Sequence, residues 1–443
     1  MKKKNIFFVS LGCSKNLVDS ELMLGLLKDD GYTVTDDPEK AYMVVINTCG
    51  FIADAKDESI NTILEYAQLK ESGLKKLIVA GCMVQRYKEK FVKLLPEVDL
   101  FIGTSDYPKI IEYIKEQEAA NATVYHASKP EFTHTSDIPR ILFPGQRSAY
   151  LKIAEGCRNH CTYCIIPKLR GSFRSRQEDD VVKSAKHLVK NGIVELNLIA
   201  QDVGSYGSDL TSGYDLVSLL KKLVKVRGAK WLRLLYMHPK HVTDEMIAII
   251  KNEKKILKYI DLPIQHISSK ILKRMNRHQS EKQVRGVIDK IRKEIPDAAL
   301  RTSLIVGFPG ETQDDFNRLL GFVKEARFDN LGVFAYSKEE GTKAYGMDGQ
   351  IHHNTKKARL RRILEAQAVI SREKNEQYVG RTLPVLVEGE SEESELLIQG
   401  RTYFQAPDID GRVYITDGDI KVGTIQNVEI EEAHTYDLVG RVV

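Results

Sequence analysis

Lys152-Ile153-Ala154-Glu155-Gly156-Cys157-Arg158-Asn159-His160-Cys161-Thr162-Tyr163-Cys164 is the stretch from which the rest of the chain can be read. Cys157, Cys161 and Cys164 have three and then two residues between them, and His160 is the one other soft donor in the loop. Thiolates select zinc, cuprous copper or iron–sulfur clusters. A structural zinc site takes four ligands, usually as two paired knuckles, and no second C-x2-C lies nearby. Three thiolates in one tight loop suit a cubane iron–sulfur cluster with one iron left open for a small molecule. A partial zinc site or a chance grouping are the plain alternatives.

The loop follows a candidate strand, Tyr150–Ala154, which opens a strand-then-helix repeat lasting to about Arg372. The other strands are expected at Glu195–Ala200, Trp231–Tyr236, Tyr259–Leu262, Leu300–Val306 and Leu331–Ala335. Helical periodicity marks Asp179–Lys190, Leu216–Val226, Asp244–Lys251, Glu281–Ile295 and Thr312–Ala326. Six β/α units fall short of eight and predict an open, partial (β/α)6 TIM-like barrel, whose chemistry belongs at the C-terminal strand ends. Those ends carry Glu155–Cys164, Gln201-Asp202, His238-Pro239, Gln265-His266, Gly307 to Glu311, and Tyr336-Ser337. Gly307 and Gly310 either form a tight turn before a helix capped at Thr312 or let an adenine or carboxylate approach the backbone. His238 and His266 read equally well as structural or catalytic. Lys168, Arg170, Arg174 and Arg176 are either a solvated face or a rim that attracts an anion.

Four apolar runs precede this barrel: Asn5–Val9, Ala41–Ile46, Lys76–Val79 and Val98–Ile102. Amphipathic stretches at Leu17–Leu27, Lys56–Leu69 and Tyr87–Leu95 separate them, which predicts an open, mostly parallel α/β sheet. Cys13, Cys49 and Cys82 each stand just past the end of a strand. In a doubly wound sheet those ends gather on one ligand-binding edge, so the three thiols are permitted to converge. Otherwise they are three inert core cysteines.

After the charged helix Lys356–Lys374, short alternating strands (Leu383–Glu388, Glu395–Arg401, Val413–Thr416, Thr424–Glu432) predict a small OB-like β-barrel. From Gln377 onward five Lys/Arg face thirteen Asp/Glu, a net of −8, against +13 for the remaining chain. Phosphate backbones are bound through Lys and Arg, so such a barrel suits a basic protein better than RNA. The expected domains are 4–125 (N-terminal α/β), 126–143 (linker), 144–374 (partial barrel) and 377–443 (small β-barrel).

The 443 residues are 42% hydrophobic and 29% charged, as in water-soluble globular proteins. No apolar run approaches the roughly 18 residues of a membrane span. The start, Met-Lys-Lys-Lys before Ile6–Cys13, has too short an apolar core for a lipoprotein signal, and Ser10 stands where that box wants leucine. A cytoplasmic protein is expected, without membrane attachment. Six cysteines in a reducing compartment do not imply disulfides.

C-x3-C-x2-C with Tyr163 before its last cysteine resembles the signature of the radical S-adenosylmethionine (SAM) enzymes. Both triads, the barrel and the terminal domain, in this order, resemble the methylthiotransferases of that superfamily over essentially the whole chain. The resemblance implies two [4Fe–4S] clusters and SAM as cofactors. Cys157, Cys161 and Cys164 would hold the cluster that cleaves SAM, and Cys13, Cys49 and Cys82 an auxiliary one. Tyr163 is expected near the adenine, with Gln201, Gly307 and Gly310 as further SAM contacts. The last domain corresponds to the family's TRAM domain, which docks the substrate. Residues 10–21 ("SLGCSKNLVDSE") are similar to the RimO branch, which modifies an aspartate of the small-subunit ribosomal protein S-twelve. Chains of the tRNA-modifying MiaB branch usually carry Gln-Met-Asn or similar after the first cysteine. Residues 153–171, 200–207 and 400–415 ("IAEGCRNHCTYCIIPKLRG", "AQDVGSYG", "GRTYFQAPDIDGRVYI") are RimO-like too. Arg158 and His160 fall where the family varies and are given no role.

The chemistry implied is hydrogen abstraction from the β-carbon of the aspartate by a 5′-deoxyadenosyl radical. Sulfur arrives from the N-terminal cluster, and a second SAM supplies the methyl group. An electron donor such as a flavodoxin or ferredoxin and a monomeric enzyme complete the expectation. The rivals are a tRNA adenosine methylthiotransferase, kept alive by the basic remainder of the chain, and a non-catalytic iron–sulfur or zinc redox sensor.

Overall fold

Met43–Thr48 and Lys76–Gly81 are buried along their whole length, as strands covered on both faces must be. They form the centre of a six-stranded parallel sheet in the computed structural model, which describes residues 4–143, 145–391 and 394–443. Residues 1–3 of the basic start, Pro144 where the barrel domain is expected to begin, and Glu392 and Glu393 of the acidic segment lie outside the described residues. The strand order is Thr33–Val34, Asn5–Ser10, Met43–Thr48, Lys76–Gly81, Leu100–Ile102, Val124–His126. Helices Ser14–Asp29 and Ile110–Ala120 cover one face, packed on Ile6, Met43, Val45 and Ile78. Ala53–Ala67, Cys82–Tyr87 and Glu89–Leu94 cover the other, over Val44, Ile46, Leu77 and Val79.

Three details depart from the sequence reading. The two edge strands and helix Ile110–Ala120 had no expectation attached to them. The helix expected over Tyr87–Leu95 is two short helices, because Lys88 takes a positive φ of 51° and breaks the run. The first of the two begins at Cys82 itself.

The second sheet has six parallel strands in sequential order: Ser148–Lys152, Glu195–Ile199, Trp231–Leu234, Ile256–Asp261, Ala299–Val306 and Asn330–Ala335. Its first and last strands do not pair with each other, so the barrel is open. Each expected helix is present, and additional short ones span Ile166–Arg170 and Ser269–Arg274. A short antiparallel pair, Ala154–Glu155 with Arg174–Ser175, brackets the three-cysteine loop.

The C-terminal segment closes into a five-stranded barrel, ordered Thr382–Ser391, Ser394–Arg401, Val413–Ile415, Leu438–Val442, Ile425–Ala433. The fifth strand, Leu438–Val442, is the one the sequence reading lacked. It closes the barrel by pairing parallel to Val413–Ile415 and antiparallel to Ile425–Ala433. Among the described residues no helix is long and apolar enough to cross a membrane.

Residues 401–410 of this barrel reach all six strands of the open one. Arg401 donates to Glu195 at 2.6 Å, Tyr150 to Asp408 at 2.7 Å and Tyr259 to Asp410 at 2.6 Å. Arg233 donates to the Tyr403 carbonyl and Asn330 to the Phe404 carbonyl, and Arg301 lies 3.4 Å from Asp410. Part of the −8 charge is therefore consumed inside the joint, by Asp408, Asp410 and the Glu388 that pairs with Arg401. Burial alone would raise the Glu195 pKa; Arg401 and Arg233 hold it down at about 2, against 4.5 for a free glutamate. A lowered folded-state pKa contributes stability above about pH 4.5 that is lost as pH falls toward 2. The metal-free protein is expected to loosen this joint in that window. Trp231, the one tryptophan, stands on a strand beside Arg233 and reports the change by its fluorescence. A Glu195→Gln protein with an unchanged acid transition would contradict this assignment.

Candidate functional site

In a parallel sheet ordered 2-1-3-4-5 the ligand crevice opens between the first and third strands, at their C-terminal ends. Cys13 follows Asn5–Ser10, Cys49 follows Met43–Thr48 directly, and Cys82 follows the adjacent Lys76–Gly81. Glycine lets these three ends close up. A Cβ on Gly12 (φ +90°) would stand 2.7 Å from the Cys49 Cβ, and one on Gly81 (φ +97°) 2.8 Å from the Thr48 carbonyl. Asn16 ties the ends together, donating to the carbonyls of both Leu11 and Thr48 at 2.9 Å. Cys13 is exposed, Cys49 half-buried and Cys82 buried, and all three are free thiols. Burial and the neighbouring Cys82 push Cys49 up to about 12.

The barrel loop is equally fixed. The Thr162 N–H donates to the Met275 carbonyl and its hydroxyl to that of Arg274, while the Thr162 carbonyl accepts from Ala344. Asn159 donates to Asp202 at 2.7 Å and accepts from Lys240 at 2.7 Å. Asp202 also accepts from Ser205 and the His238 N–H, and His241 lies 3.3 Å away. Burial pushes the Cys157 thiol up to about 11, and Cys164 is raised by burial as well. Metal binding requires thiolates and so would release these protons.

The two loops meet. Cys82 packs directly against Ile165 and Leu169, which follow Cys164. Around that contact lies a buried ionic network that spans the joint. Lys152 donates to Asp19 at 2.5 Å and to Glu155 at 2.8 Å; Arg170 donates to Asp19 at 2.5 Å and to Asn16 at 2.6 Å. Another Arg170 N–H points at the Cys82 Sγ at 3.5 Å. Burial alone would raise Glu155, but Lys152 and Arg170 hold it at about 2. On the far side of the cleft Glu339 clamps the barrel to the sheet domain through Lys56 (2.7 Å) and Arg86 (2.8 Å).

The remaining residues singled out from sequence fall around the barrel rim. Tyr163 lies edge-on to Phe308 and accepts from Arg277 at 3.4 Å. Gln201 donates to Glu155 at 2.7 Å, and its buried Oε1 has no partner. The Gly307 N–H is taken by Glu311, and a Cβ there would meet Lys356; at Gly310 it would meet Arg274. His238 accepts from the Lys240 N–H, and burial pushes its pKa down to about 2. His266 is fully buried, accepting from the Ser268 N–H. Neither reading of the basic run holds for Arg170 and Arg176. They are 2% and 3% exposed, Arg176 being tied to Asp180, Ser184 and the Lys152 carbonyl. Asp19, Lys152, Glu155, Asn159 and Lys240 went unassigned. A lysine and a glutamate directly flanking an apolar pair, Lys152-Ile153-Ala154-Glu155, was the one available signal for the network.

The donor sets fit iron–sulfur clusters. Each offers three thiols on a fixed frame, and the buried Gln201 Oε1 on the barrel rim has no hydrogen-bond partner among the described residues. Thiolates, one to each iron, are the donors such a cluster takes; among the described residues no three His, Cys, Asp or Glu side chains close round a single ion.

Three family models match in sequence. Residues 5–103 match "Uncharacterized protein family UPF0004", 151–323 the "Radical SAM superfamily" and 379–443 the "TRAM domain". "Ribosomal protein uS12 methylthiotransferase RimO" of Geotalea uraniireducens is 50% identical over 442 residues, covering 100% of this chain and 99% of the relative. The protein of the same name from Geobacter sulfurreducens matches at 50% with the same coverage, and that from Alkaliphilus oremlandii at 48% over 98% of both chains. Among solved structures, the radical SAM methyltransferase TsrM from Kitasatospora setae superposes with a TM-score of 0.56 at 13% identity, over 75% of this chain and 73% of its own. The cobalamin-dependent SAM radical enzyme OxsB gives 0.54 at 13%, over 83% and 58%. At such identities these two show the fold alone.

Proposed function

The chain belongs to the RimO-type radical-SAM methylthiotransferases, and from that premise we propose that it places a methylthio group on the β-carbon of an aspartate in ribosomal protein S-twelve. As a radical-SAM enzyme it uses a [4Fe–4S] cluster and SAM. Bound together these supply a carbon radical that removes hydrogen from an unactivated carbon, which no protein base achieves on so weak an acid.

We assign that cluster to Cys157, Cys161 and Cys164, and a second one to Cys13, Cys49 and Cys82. The observation that carries the reading is the contact between the two cysteine loops, Cys82 against Ile165 and Leu169. On this reading the place where hydrogen is removed adjoins the place where sulfur is delivered. The protein's own contribution is positioning: Asn159 and Thr162 pin the barrel loop, and Arg170 and Asn16 pin the sheet loop to it. Tyr163 and Gln201 are the side chains that receive SAM. Gly307 and Gly310 act by turning the chain so that Phe308 supports the Tyr163 ring. The enzyme works in the cytoplasm as a monomer, reduced by a flavodoxin or ferredoxin.

The acidic C-terminal barrel supports a basic protein substrate over tRNA, although fewer of its carboxylates are available than the count suggests. The test uses anaerobically reconstituted enzyme with SAM and dithionite, offered purified S-twelve and bulk tRNA separately. Two clusters' worth of iron and sulfide and a methylthio mass gain on the protein alone are expected. A gain on tRNA would transfer the chain to the other branch, and zinc without SAM turnover would end the enzyme reading.

A further inference from the structure

Three lysines are buried among the described residues: Lys15, Lys76 and Lys152. Lys152 sits on Asp19 and Glu155, and Lys76 on Gln117 and Glu118. Lys15, 8% exposed, has neither a hydrogen bond nor an ion pair among the described residues. Its ammonium lies 3.2 Å from the centroid of the Tyr236 ring and meets no carboxylate. A buried ammonium without an anion is costly, and an aromatic face offsets only part of that cost.

Its position gives the vacancy meaning. Lys15 stands on the first turn after Cys13, on the sheet side of the joint. Tyr236 follows the barrel strand Trp231–Leu234, on the rim. It is held at φ +64° by Asp261, which accepts from its N–H at 2.9 Å, and its hydroxyl lies 3.5 Å from the Ser14 hydroxyl. A bulky non-glycine residue in the left-handed region is strained, and such strain gathers at binding sites. Cys13 beside it is exposed, so this corner opens to solvent.

Building on the proposed function, we infer that Lys15 binds the side-chain carboxylate of the aspartate to be modified. The carboxyl carbon is one bond from the β-carbon, so a cation that fixes the first also holds the second in place, at the corner shared by the Cys13 turn and the barrel rim. A carboxylate also distinguishes an aspartate from a nucleobase, which offers no such charge. Lys15 thereby selects a protein substrate inside the site, independently of the C-terminal barrel.

The wild-type reaction first locates the modified aspartate by mass. Binding of reconstituted holoenzyme is then measured to S-twelve and to S-twelve carrying asparagine at that position. A charge-assisted hydrogen bond predicts an aspartate preference of about tenfold or more in the wild type. Lys15→Met should bind both forms alike, at the asparagine level, and Lys15→Arg should keep most of the preference. Iron content and SAM affinity are read on the same samples. A preference that survives in Lys15→Met overturns the inference. So does a Lys15→Met protein that loses iron or SAM affinity, because the ammonium would then serve the cluster or the SAM carboxylate. Wild-type enzyme that binds neither form would instead overturn the substrate reading on which the inference stands.

Discussion

Cys157→Ala, Cys161→Ala and Cys164→Ala are each expected to abolish 5′-deoxyadenosine release, whereas Cys13→Ala, Cys49→Ala and Cys82→Ala retain it and lose methylthio transfer. The division follows from where the thiols stand. The first three share one loop at the barrel rim, beside Tyr163 and the unpaired Gln201 Oε1, where SAM is assigned. The other three close the crevice of a separate sheet, joined to the barrel through Arg170 and the Cys82 contact. Radical enzymes turn over 10⁶-fold or more above the uncatalysed rate, so losing the SAM-cleaving group is loss to background, not a graded defect. Chromatographic assay of 5′-deoxyadenosine and mass analysis of S-twelve on the same samples separate the two classes. Normal methylthio transfer by any one of the three sheet variants would refute the assignment.

The second large effect concerns stability. Arg170→Met should destabilise the metal-free protein by about 3–5 kcal/mol, the typical consequence of removing one partner from a buried ionic network. Arg170 has a side chain 3% exposed and its partner Asp19 one 4% exposed, so water cannot replace the lost charge. What remains is Lys152 facing two carboxylates, Asp19 and Glu155, with Asn16 Oδ1 left to the weak Cys82 thiol donor. Urea unfolding followed by circular dichroism reads the loss as a lower midpoint. Adding Asp19→Asn removes the surplus negative charge and should recover part of it, which a simple packing defect would not. An unchanged midpoint in Arg170→Met would show that the joint is held elsewhere, by Glu339 and its partners.

Much of the site was legible before any coordinates. β-Branched runs of four to eight residues and the 3.6-residue period are local signals, so both sheets and most of their helices could be read directly. Given parallel sheets, the cysteines had to fall at C-terminal strand ends. The misreadings were of another kind. Helix Ile110–Ala120 and strand Leu438–Val442 owe their place to long-range packing, the latter to its parallel pairing with Val413–Ile415, which closes the barrel. Arg170 and Arg176 read as a solvated face or an anion-attracting rim because charge in sequence carries no mark of burial.

The sequence by itself determined the architecture and the chemistry: two parallel α/β units, a terminal β-barrel, and two sets of three thiols, each set on one strand edge. Spacing and periodicity suffice for that, because they act over a few residues. Only the tertiary structure decided that the two cysteine loops adjoin, that Lys152 and Arg170 meet Asp19 across 133 and 151 positions, and that Lys15 meets no anion among the described residues. Whether a charge is paired depends on which distant segment arrives beside it, and the energy of a buried charge depends on that pairing.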